Sequence, residues 1–158
     1  MKKLVFFMLF AISAMAASAQ SSTNSAVRDV QNVVKRYLQN EGYQPTIDSD
    51  GDLKFKREGQ NCWVIISKES DGYYYFVTQL SGISVEDDDV ASAILAADRV
   101  TREKKVGKCC LNKEQSSVLF RIESFYQNAS QYTNYLSRFL NILSQMKGDF
   151  KEYYDDYK

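Results

Sequence analysis

The spacing of apolar residues changes along the chain, and each spacing predicts a different type of secondary structure. A first helix is predicted by apolar residues that recur three or four positions apart, namely Val27, Val30, Val34, Tyr37 and Leu38. Gly42 and Pro45 follow this pattern, and both residue types are typical of helix ends. The first helix should therefore end shortly before Gly42.

Between residues 46 and 80 the spacing shortens to two, which is typical of β-strands. A strand that begins at residues 46–47 leads into an acidic turn, and an Asp-Gly pair then introduces the alternating segment 53–56, which predicts a tight hairpin. The continuous apolar run 62–66 predicts a central strand that is buried on both faces. The aromatic run 73–78 predicts the next strand, and the whole region should form an antiparallel meander.

The second half of the chain predicts two helices and two strands. Residues 87–104 should form a helix whose apolar face carries Ile94, Ala97 and then Val100 or Thr101. Residues 106–111 and 117–125 predict two more strands joined by a polar turn. A long final helix is predicted by a sustained apolar stripe, formed by Tyr132, Tyr135, Leu136, Phe139, Leu143, Met146 and Phe150.

These elements predict one domain of the α+β class over residues 26–150. The expected order is α-β-β-β-β-α-β-β-α, with the helices packed on an antiparallel sheet. Residues 151–158 are charged and rich in tyrosine, and we expect them to form a tail that frays. No internal repeat or interdomain linker is visible in the sequence.

The first residues have the pattern of an export signal. Lys2 and Lys3 precede an apolar run, and the small residues Ala17 and Ala19 then form a site that a signal peptidase accepts. We therefore expect residues 1–19 to be removed and residues 20–25 to form a short polar leader. The apolar run is shorter than the ~20 residues needed to span a bilayer, which disfavours a retained anchor. The mature protein should be exported to the periplasm or the cell exterior, without membrane insertion after cleavage.

Charge and composition exclude several functions. The 158 residues include 20 Lys plus Arg and 20 Asp plus Glu, so no overall positive field favours nucleic acid as a partner. The absence of histidine excludes Ser-His and Cys-His nucleophile pairs and histidine metal ligands. No glycine-rich phosphate loop or nucleophile elbow is present. We therefore predict no catalytic residues, no metal site and no cofactor.

One acidic segment resembles the beginning of a calcium loop. Asp48, Asp50 and Asp52 are spaced like the first ligands of an EF-hand. However, Gly51 lies one position early, and Gly59 occupies the place of the closing glutamate. The sequence therefore favours a hairpin turn over a cation site.

Three cysteines, Cys62, Cys109 and Cys110, are an odd number for an exported protein. The adjacent pair lacks the two-residue spacer of redox and zinc motifs. Ordinary packing of thiols is favoured. A disulfide between Cys62 and one member of the pair, or a redox role, remains as an alternative.

Aromatic side chains are the candidate binding residues. The chain contains eleven tyrosines and one tryptophan, and such rings provide a large contact area at little entropic cost. Half of the side chains in the aromatic strand must face the core. We single out Trp63, Tyr73 and Tyr75 as candidate binding residues.

Several segments resemble the YbjN-like family and its relatives among the type III secretion chaperones. The first helix ends in the sequence YLQNEGY at residues 37–43, and the hairpin sequence DGDLKF at residues 50–55 leads to a hydrophobic strand. A later helix runs into Val106-Gly107-Lys108, and a long C-terminal helix follows. The resemblance covers about residues 26–150.

This resemblance implies an α+β sandwich with one antiparallel sheet, which is often dimeric and binds polypeptides without catalytic residues. Secretion chaperones act in the cytosol, whereas this chain has an export signal, so its partner should lie in the periplasm or outside the cell. We therefore expect an exported, non-enzymatic module of the chaperone or adaptor type that binds a protein or peptide and can form a homodimer. The alternative is a periplasmic carrier of a small apolar ligand, with a cavity between the sheet and the long helix.

Overall fold

A computed structural model describes residues 25–158. The expected signal peptide and most of the leader lie outside these residues, so those expectations stay predictions. The described chain forms α1 (25–40), β1 (Thr46–Ile47), β2 (Leu53–Arg57), β3 (Gln60–Lys68), β4 (Tyr74–Ser84), α2 (Val90–Glu103), β5 (Lys108–Leu111), β6 (Ser117–Tyr126) and α3 (Ala129–Tyr157). This order and the α+β class are those that the apolar spacing predicts.

The six strands form one antiparallel sheet in the order β1-β2-β3-β4-β6-β5. The first four strands are a meander, as predicted. Helix α2 then carries the chain past the position beside β4 to the sheet edge, where β5 begins. Strand β6 returns between β5 and β4 and runs antiparallel to both, so the sheet contains no parallel pair of strands.

The first hairpin depends on a carboxylate and a glycine. Asp48 Oδ1 accepts hydrogen bonds from the backbone N–H groups of Asp50 and Asp52, at 3.1 and 2.9 Å. Gly51 has a φ of +90°, a backbone conformation that residues other than glycine adopt only with strain. The acidic segment is therefore a turn, as the sequence favours.

The three helices cover the same face of the sheet. Apolar residues of α1 and α2 join the sheet side chains and the long stripe of α3 in a single core. Stacked rings of Phe76 in β4 and Tyr132 in α3, with centroids 4.1 Å apart, lie at its centre. The Tyr132 hydroxyl also forms a buried hydrogen bond with Thr78 Oγ1 at 2.7 Å. The predicted stripe of α3 is confirmed except at Tyr135, which is 48% exposed.

Strand β3 differs from its prediction. Cys62, Val64 and Ile66 point into the core, but Trp63 and Ile65 point to the opposite face and are only partly buried. The prediction of burial on both faces is therefore wrong, because no helix of the described chain covers that second face. The continuous apolar run reflects an exposed apolar surface rather than a second buried layer.

Helix α2 begins later than predicted, and its buried face includes Ala97 and Val100 of the predicted apolar face but not Ile94. A short 3-10 turn, Asp87–Asp89, precedes it. The buried residues are Ala93, Ala96, Ala97 and Val100, whereas Ile94 is 48% exposed. The buried alanine side chains are small, and α2 packs against both α3 and β5.

The C-terminal residues are more ordered than predicted. Residues 151–158, expected to fray, continue α3 to Tyr157. Tyr154 is buried, and the guanidinium of Arg99 in α2 lies 3.7 Å from the ring centroid of Tyr153. Contacts with α2 therefore stabilise these last turns.

Strand β4 is bulged near its end. Its register with β6 shifts between Leu80 and Ile83. A Cβ atom on Gly82 would lie 2.5 Å from the carbonyl oxygen of Val118, so this position accepts only glycine without movement. The Nζ of Lys147 in α3 donates to the carbonyl oxygen of Ser81 at 2.8 Å, which links the bulge to the helix layer.

Candidate functional site

The face of the sheet that carries no helix is the first candidate site. Side chains alternate between the two faces of a strand, so the residues that flank the core positions of β3, β4 and β6 point outward. We call this surface the open sheet face, and its apolar members are Trp63, Ile65, Tyr75, Val77, Leu119 and Phe125. The described helices pack against the other side of the sheet.

Strand pairing brings these apolar residues next to one another. Ile65 lies opposite Val77, and Tyr75 lies opposite Phe125 with ring centroids 5.0 Å apart. Val77 is only 6% exposed although it points away from the core, whereas Phe125 is 61% exposed. The outward residues therefore form a small apolar layer of their own around Val77.

A row of polar and charged side chains crosses the open sheet face beside Trp63. Lys54 and Gln79 are the register partners of Trp63 on either side, and Lys54 Nζ lies 5.4 Å from the Trp63 ring centroid. Arg121 continues the row and donates from Nη2 to Gln79 Oε1 at 3.0 Å. Its Nε is buried and has no hydrogen-bond partner among residues 25–158. This row presents positive charge along one side of the apolar layer.

The β6 side of the layer contains a paired carboxylate, because Glu123 is the register partner of Val77 and lies next to Arg121. The ammonium of Lys108 contacts the Glu123 carboxylate and is the main reason that the pKa of Glu123 lies below its usual range. Burial, followed by the nearby Glu123, raises the pKa of Tyr75. Tyr75 therefore presents a neutral hydroxyl, and the charge of Glu123 is balanced by the ammonium of Lys108.

Two of the three candidate binding residues lie together on the open sheet face. Trp63 and Tyr75 are both members of it. Tyr73 lies before β4, at the end of the sheet, where its hydroxyl accepts a hydrogen bond from Gln127 Nε2 at 3.2 Å. Sequence reasoning missed Phe125, although continued alternation along β6 would have placed it outward.

A second candidate site is a groove that the sequence did not indicate. It encloses about 850 Å³ between β6, α3 and the segment that joins α2 to β5. We call it the β6 groove, and its main lining residues are Val106, Tyr126, Tyr135, Arg138, Phe139 and Ile142. Tyr135 stacks with both Tyr126 and Phe139, with ring centroids 6.1 Å apart in each pair. The groove therefore has an aromatic wall and a cationic rim.

The three cysteines are free thiols. Burial raises the pKa of Cys62 to about 11 and that of Cys109 to about 12, so neither forms a reactive thiolate at neutral pH. The two lie in one row of the sheet, three strand spacings or about 14 Å apart, beyond the reach of a disulfide. Cys110 is exposed and points to the other face of β5.

The acidic segments show no sign of a metal centre. Burial, together with Asp48 and Asp50, raises the pKa of Asp52. Asp89 interacts with Tyr154 and Lys158 at the C-terminal end of α3. Among residues 25–158, no group of three or more acidic or cysteine side chains is arranged to hold a metal ion. None of the helices in this part of the chain is long and apolar enough to cross a membrane.

Comparisons with known proteins support the fold. The chain is similar to the crystal structure of YbjN from E. coli, described as a candidate transcription regulator, with a TM-score of 0.51 and 11% sequence identity. The match covers 73% of this chain and 87% of YbjN. An uncharacterised protein from Methanothermobacter thermautotrophicus matches with a TM-score of 0.48 and 13% identity, over 79% of this chain and 99% of that protein. No protein-family model and no curated protein matches the chain.

Proposed function

We propose that this chain, whose fold is that of YbjN, is an exported, non-enzymatic module that binds a polypeptide partner through its open sheet face. The observation that carries the proposal is the one-sided packing of the sheet. Helices cover one face, and the other presents aromatic and aliphatic side chains to solvent. An exposed apolar cluster with a polar surround is typical of protein interaction sites.

The strands hold the contact residues rigidly. Trp63, Tyr75 and Phe125 all lie within paired strands, so their backbone positions are already ordered before a partner arrives. Aromatic side chains on a rigid scaffold lose little entropy on binding and commonly dominate interface energies. We expect the partner to present an apolar patch to these rings, with Lys54 and Arg121 meeting polar or acidic groups at its border.

The arrangement of charged groups supports binding rather than catalysis. On the open sheet face, Glu123 is already paired with Lys108. Glu69, which lines the same pocket beside Tyr75, accepts a hydrogen bond from Ser67 Oγ at 3.2 Å. The raised pKa of Asp52 has its origin in a structural turn, whose carboxylate Asp48 binds backbone N–H groups. These features agree with a chaperone- or adaptor-like role.

A carrier of a small apolar ligand is the alternative function. It would need enclosed space at the centre of the layer between the sheet and α3, but large side chains fill that centre, and the β6 groove lies at its margin. Phe76, Phe120 and Tyr132 are fully buried there, and Phe120 contacts Phe150 with centroids 5.7 Å apart. The binding surfaces of this chain lie outside this packed region.

Site-specific photo-crosslinking tests the proposed surface. A photoreactive amino acid would replace Trp63, and the purified protein would be incubated with periplasmic extract and irradiated. We expect discrete adducts that contain a second polypeptide. The matched control places the same probe at Asn32, on the exposed side of α1 and outside the lining of the β6 groove, and should give no such adducts.

Three outcomes would contradict the proposal. Equal labelling from positions 63 and 32 would mean that the contacts are non-specific. Absence of polypeptide adducts at position 63 would exclude this surface. Recovery of a tightly bound lipid or metabolite in native mass spectrometry would favour the carrier.

Export and self-association are tested separately. We propose that the mature chain begins at Gln20 and lies in the periplasm or outside the cell, and N-terminal sequencing of the exported protein should show this residue first. We also propose a homodimer. Light scattering at high concentration should give twice the mass of the mature chain, and a monomer would exclude self-pairing.

A further inference from the structure

Strand β6 has an unpaired edge next to the β6 groove. Its neighbour β5 is short, and their pairing ends where Lys108 lies opposite Arg121. On its other side, β6 pairs with β4 up to Tyr126. Residues 122–126 therefore have a strand neighbour on one side only.

The hydrogen-bond pattern identifies which backbone groups are unpaired. The N–H of Asn112 donates to the carbonyl oxygen of Ser117, so Ser117 faces β5. Residues two apart in an antiparallel ladder face the same neighbour, which assigns Arg121, Glu123 and Phe125 to that side as well. Because β5 does not extend past Lys108, the backbone groups of Glu123 and Phe125 have no strand partner within the described chain.

The groove beside this edge is apolar and accessible. Val106 is 53% exposed and Tyr135 is 48% exposed, and both line it. Phe139 and Ile142 form its floor on α3, and Tyr126 closes it on the sheet side. An apolar side chain that enters here would exchange water for aromatic contacts.

The charges at the groove are unbalanced. Lys104 is paired with Asp149 at 2.7 Å, and Glu103 is paired with Arg99 at 3.2 Å. Glu123 is paired with Lys108, so both carboxylates that line the groove already have partners. Lys105 and Arg138 have no hydrogen bond or ion pair to any residue of the described chain. A ligand that meets this rim should therefore carry negative charge.

We propose that an extended polypeptide segment adds as a strand to the edge of β6 at Glu123 and Phe125. One of its apolar side chains enters the β6 groove, and an acidic side chain meets Arg138 and Lys105. Strand addition satisfies the free backbone groups, while the groove and the two cations select the side chains. This site uses the backbone edge of Glu123 and Phe125 and the groove on the helix side of the sheet, whereas the side chains of these two residues point to the open sheet face. It does not depend on the function proposed for that face.

A blocked nine-residue peptide with the sequence EVEVFVEVE is a suitable probe, because its central phenylalanine and the glutamates two positions away share one face of a strand. We expect it to protect the amides of Glu123 and Phe125 from hydrogen exchange. A peptide with lysine in place of glutamate should bind at least about tenfold more weakly. N-methylation of alternate amides, on the edge that faces β6, should abolish binding.

Matched charge reversals test the rim. Arg138→Glu should weaken binding of the glutamate peptide about tenfold or more, whereas Arg36→Glu, on the exposed side of α1, should leave it unchanged. Trp63→Ser removes a ring of the open sheet face and should also leave peptide binding unchanged. The peptide result therefore succeeds or fails independently of the crosslinking result.

Equal binding of the N-methylated peptide, or unprotected amides at Glu123 and Phe125, would overturn strand addition. Equal affinity of the lysine peptide would overturn the role of the cations. Sodium octanoate is the small-molecule comparison. If it occupies the groove and the peptide does not bind, the site accepts a small amphipathic anion and the proposal is wrong.

Discussion

The hydroxyl of Tyr132 and Oγ1 of Thr78 lie 2.7 Å apart in a fully enclosed part of the core. This hydrogen bond joins the first turns of α3 to the central strand β4. Both partners are almost inaccessible to water, so each hydroxyl depends on the other. The alignment of the long helix on the sheet therefore depends on one polar contact among stacked rings.

Thr78→Val should destabilise the fold. The change keeps the shape of the side chain but leaves the buried Tyr132 hydroxyl without a partner, which costs about 1–3 kcal/mol in the free energy of unfolding. Urea denaturation measures the effect. The double variant Thr78→Val with Tyr132→Phe removes both hydroxyls and should recover most of the loss. Equal losses in the single and double variants would show that the hydrogen bond is not the cause.

Gly82→Ala should also destabilise the fold. The added Cβ would lie 2.5 Å from the Val118 carbonyl oxygen, and backbone atoms can yield only by shifting β6. We expect a loss of about 1–3 kcal/mol in unfolding free energy. An unchanged free energy of unfolding would mean that the backbone near the β4 bulge can move away from the added Cβ without loss of stability.

Gly148→Ala is the matched change and should have the opposite sign. Gly148 lies inside α3, and no atom is within 4 Å of the position that its Cβ would occupy. Alanine is favoured over glycine by about 1 kcal/mol in a helix interior, so thermal and urea unfolding should both show greater stability. A loss of stability would contradict the exposed position of Gly148.

Thiol titration should distinguish the three cysteines. At pH 8 in the folded protein, a disulfide reagent should react quickly with Cys110 alone, because it is exposed. The pKa values of about 11 for Cys62 and about 12 for Cys109, both raised by burial, leave almost no thiolate at that pH. All three thiols should react after unfolding. Fast reaction of two thiols in the folded protein would contradict the buried positions.

Asp52→Asn should stabilise the protein at neutral pH and have no effect in acid. Burial, and then Asp48 and Asp50, raise the pKa of Asp52 above its ordinary value of 3.8, so its charged form opposes folding at pH 7. This penalty disappears as the pH falls through the raised pKa, and it is absent below 3.8. Solvent screening limits the gain to about 0.5 kcal/mol. Urea denaturation at pH 7 and pH 3 measures it, and an equal gain at both values would exclude an electrostatic cause.

Apolar spacing was sufficient to predict the order of the elements. The change between periods of about 3.6 and 2 separates the helices from the strands, and the Asp-Gly pair at 50–51 marks the first hairpin. The same spacing could not show which face of β3 is open, because Trp63 and Ile65 are as apolar as their inward neighbours. Spacing alone therefore predicts a second buried layer at β3, whereas residue type marks Trp63 and Tyr75 of the same face as candidate binding residues.

The β6 groove was beyond sequence reasoning for a different reason. The free edge beside it depends on where β5 begins relative to β6, which apolar spacing does not determine. Its aromatic wall is formed by Tyr126 of β6 and Tyr135 of α3, which are brought together only by the fold. Tyr135 fits the apolar stripe of α3 by spacing and was expected in the core. In the structure it stands at the rim, since Leu136 and Leu140 occupy the buried positions of those turns.

The outer edge of β5 has a different consequence for the whole molecule. Oγ1 of Thr101 in α2 donates to the carbonyl oxygen of Cys109 and accepts from its N–H, at 3.0 Å in each case. The Thr101 side chain thus forms hydrogen bonds with the backbone groups of β5 that would otherwise be free to pair with a strand of another molecule. At the far end of the sheet, β1 has only two residues, which offers a poor template. Edge-to-edge pairing of sheets from successive molecules, which would produce fibrils, is therefore disfavoured at both outer edges of the sheet. A concentrated solution of the protein should stay clear.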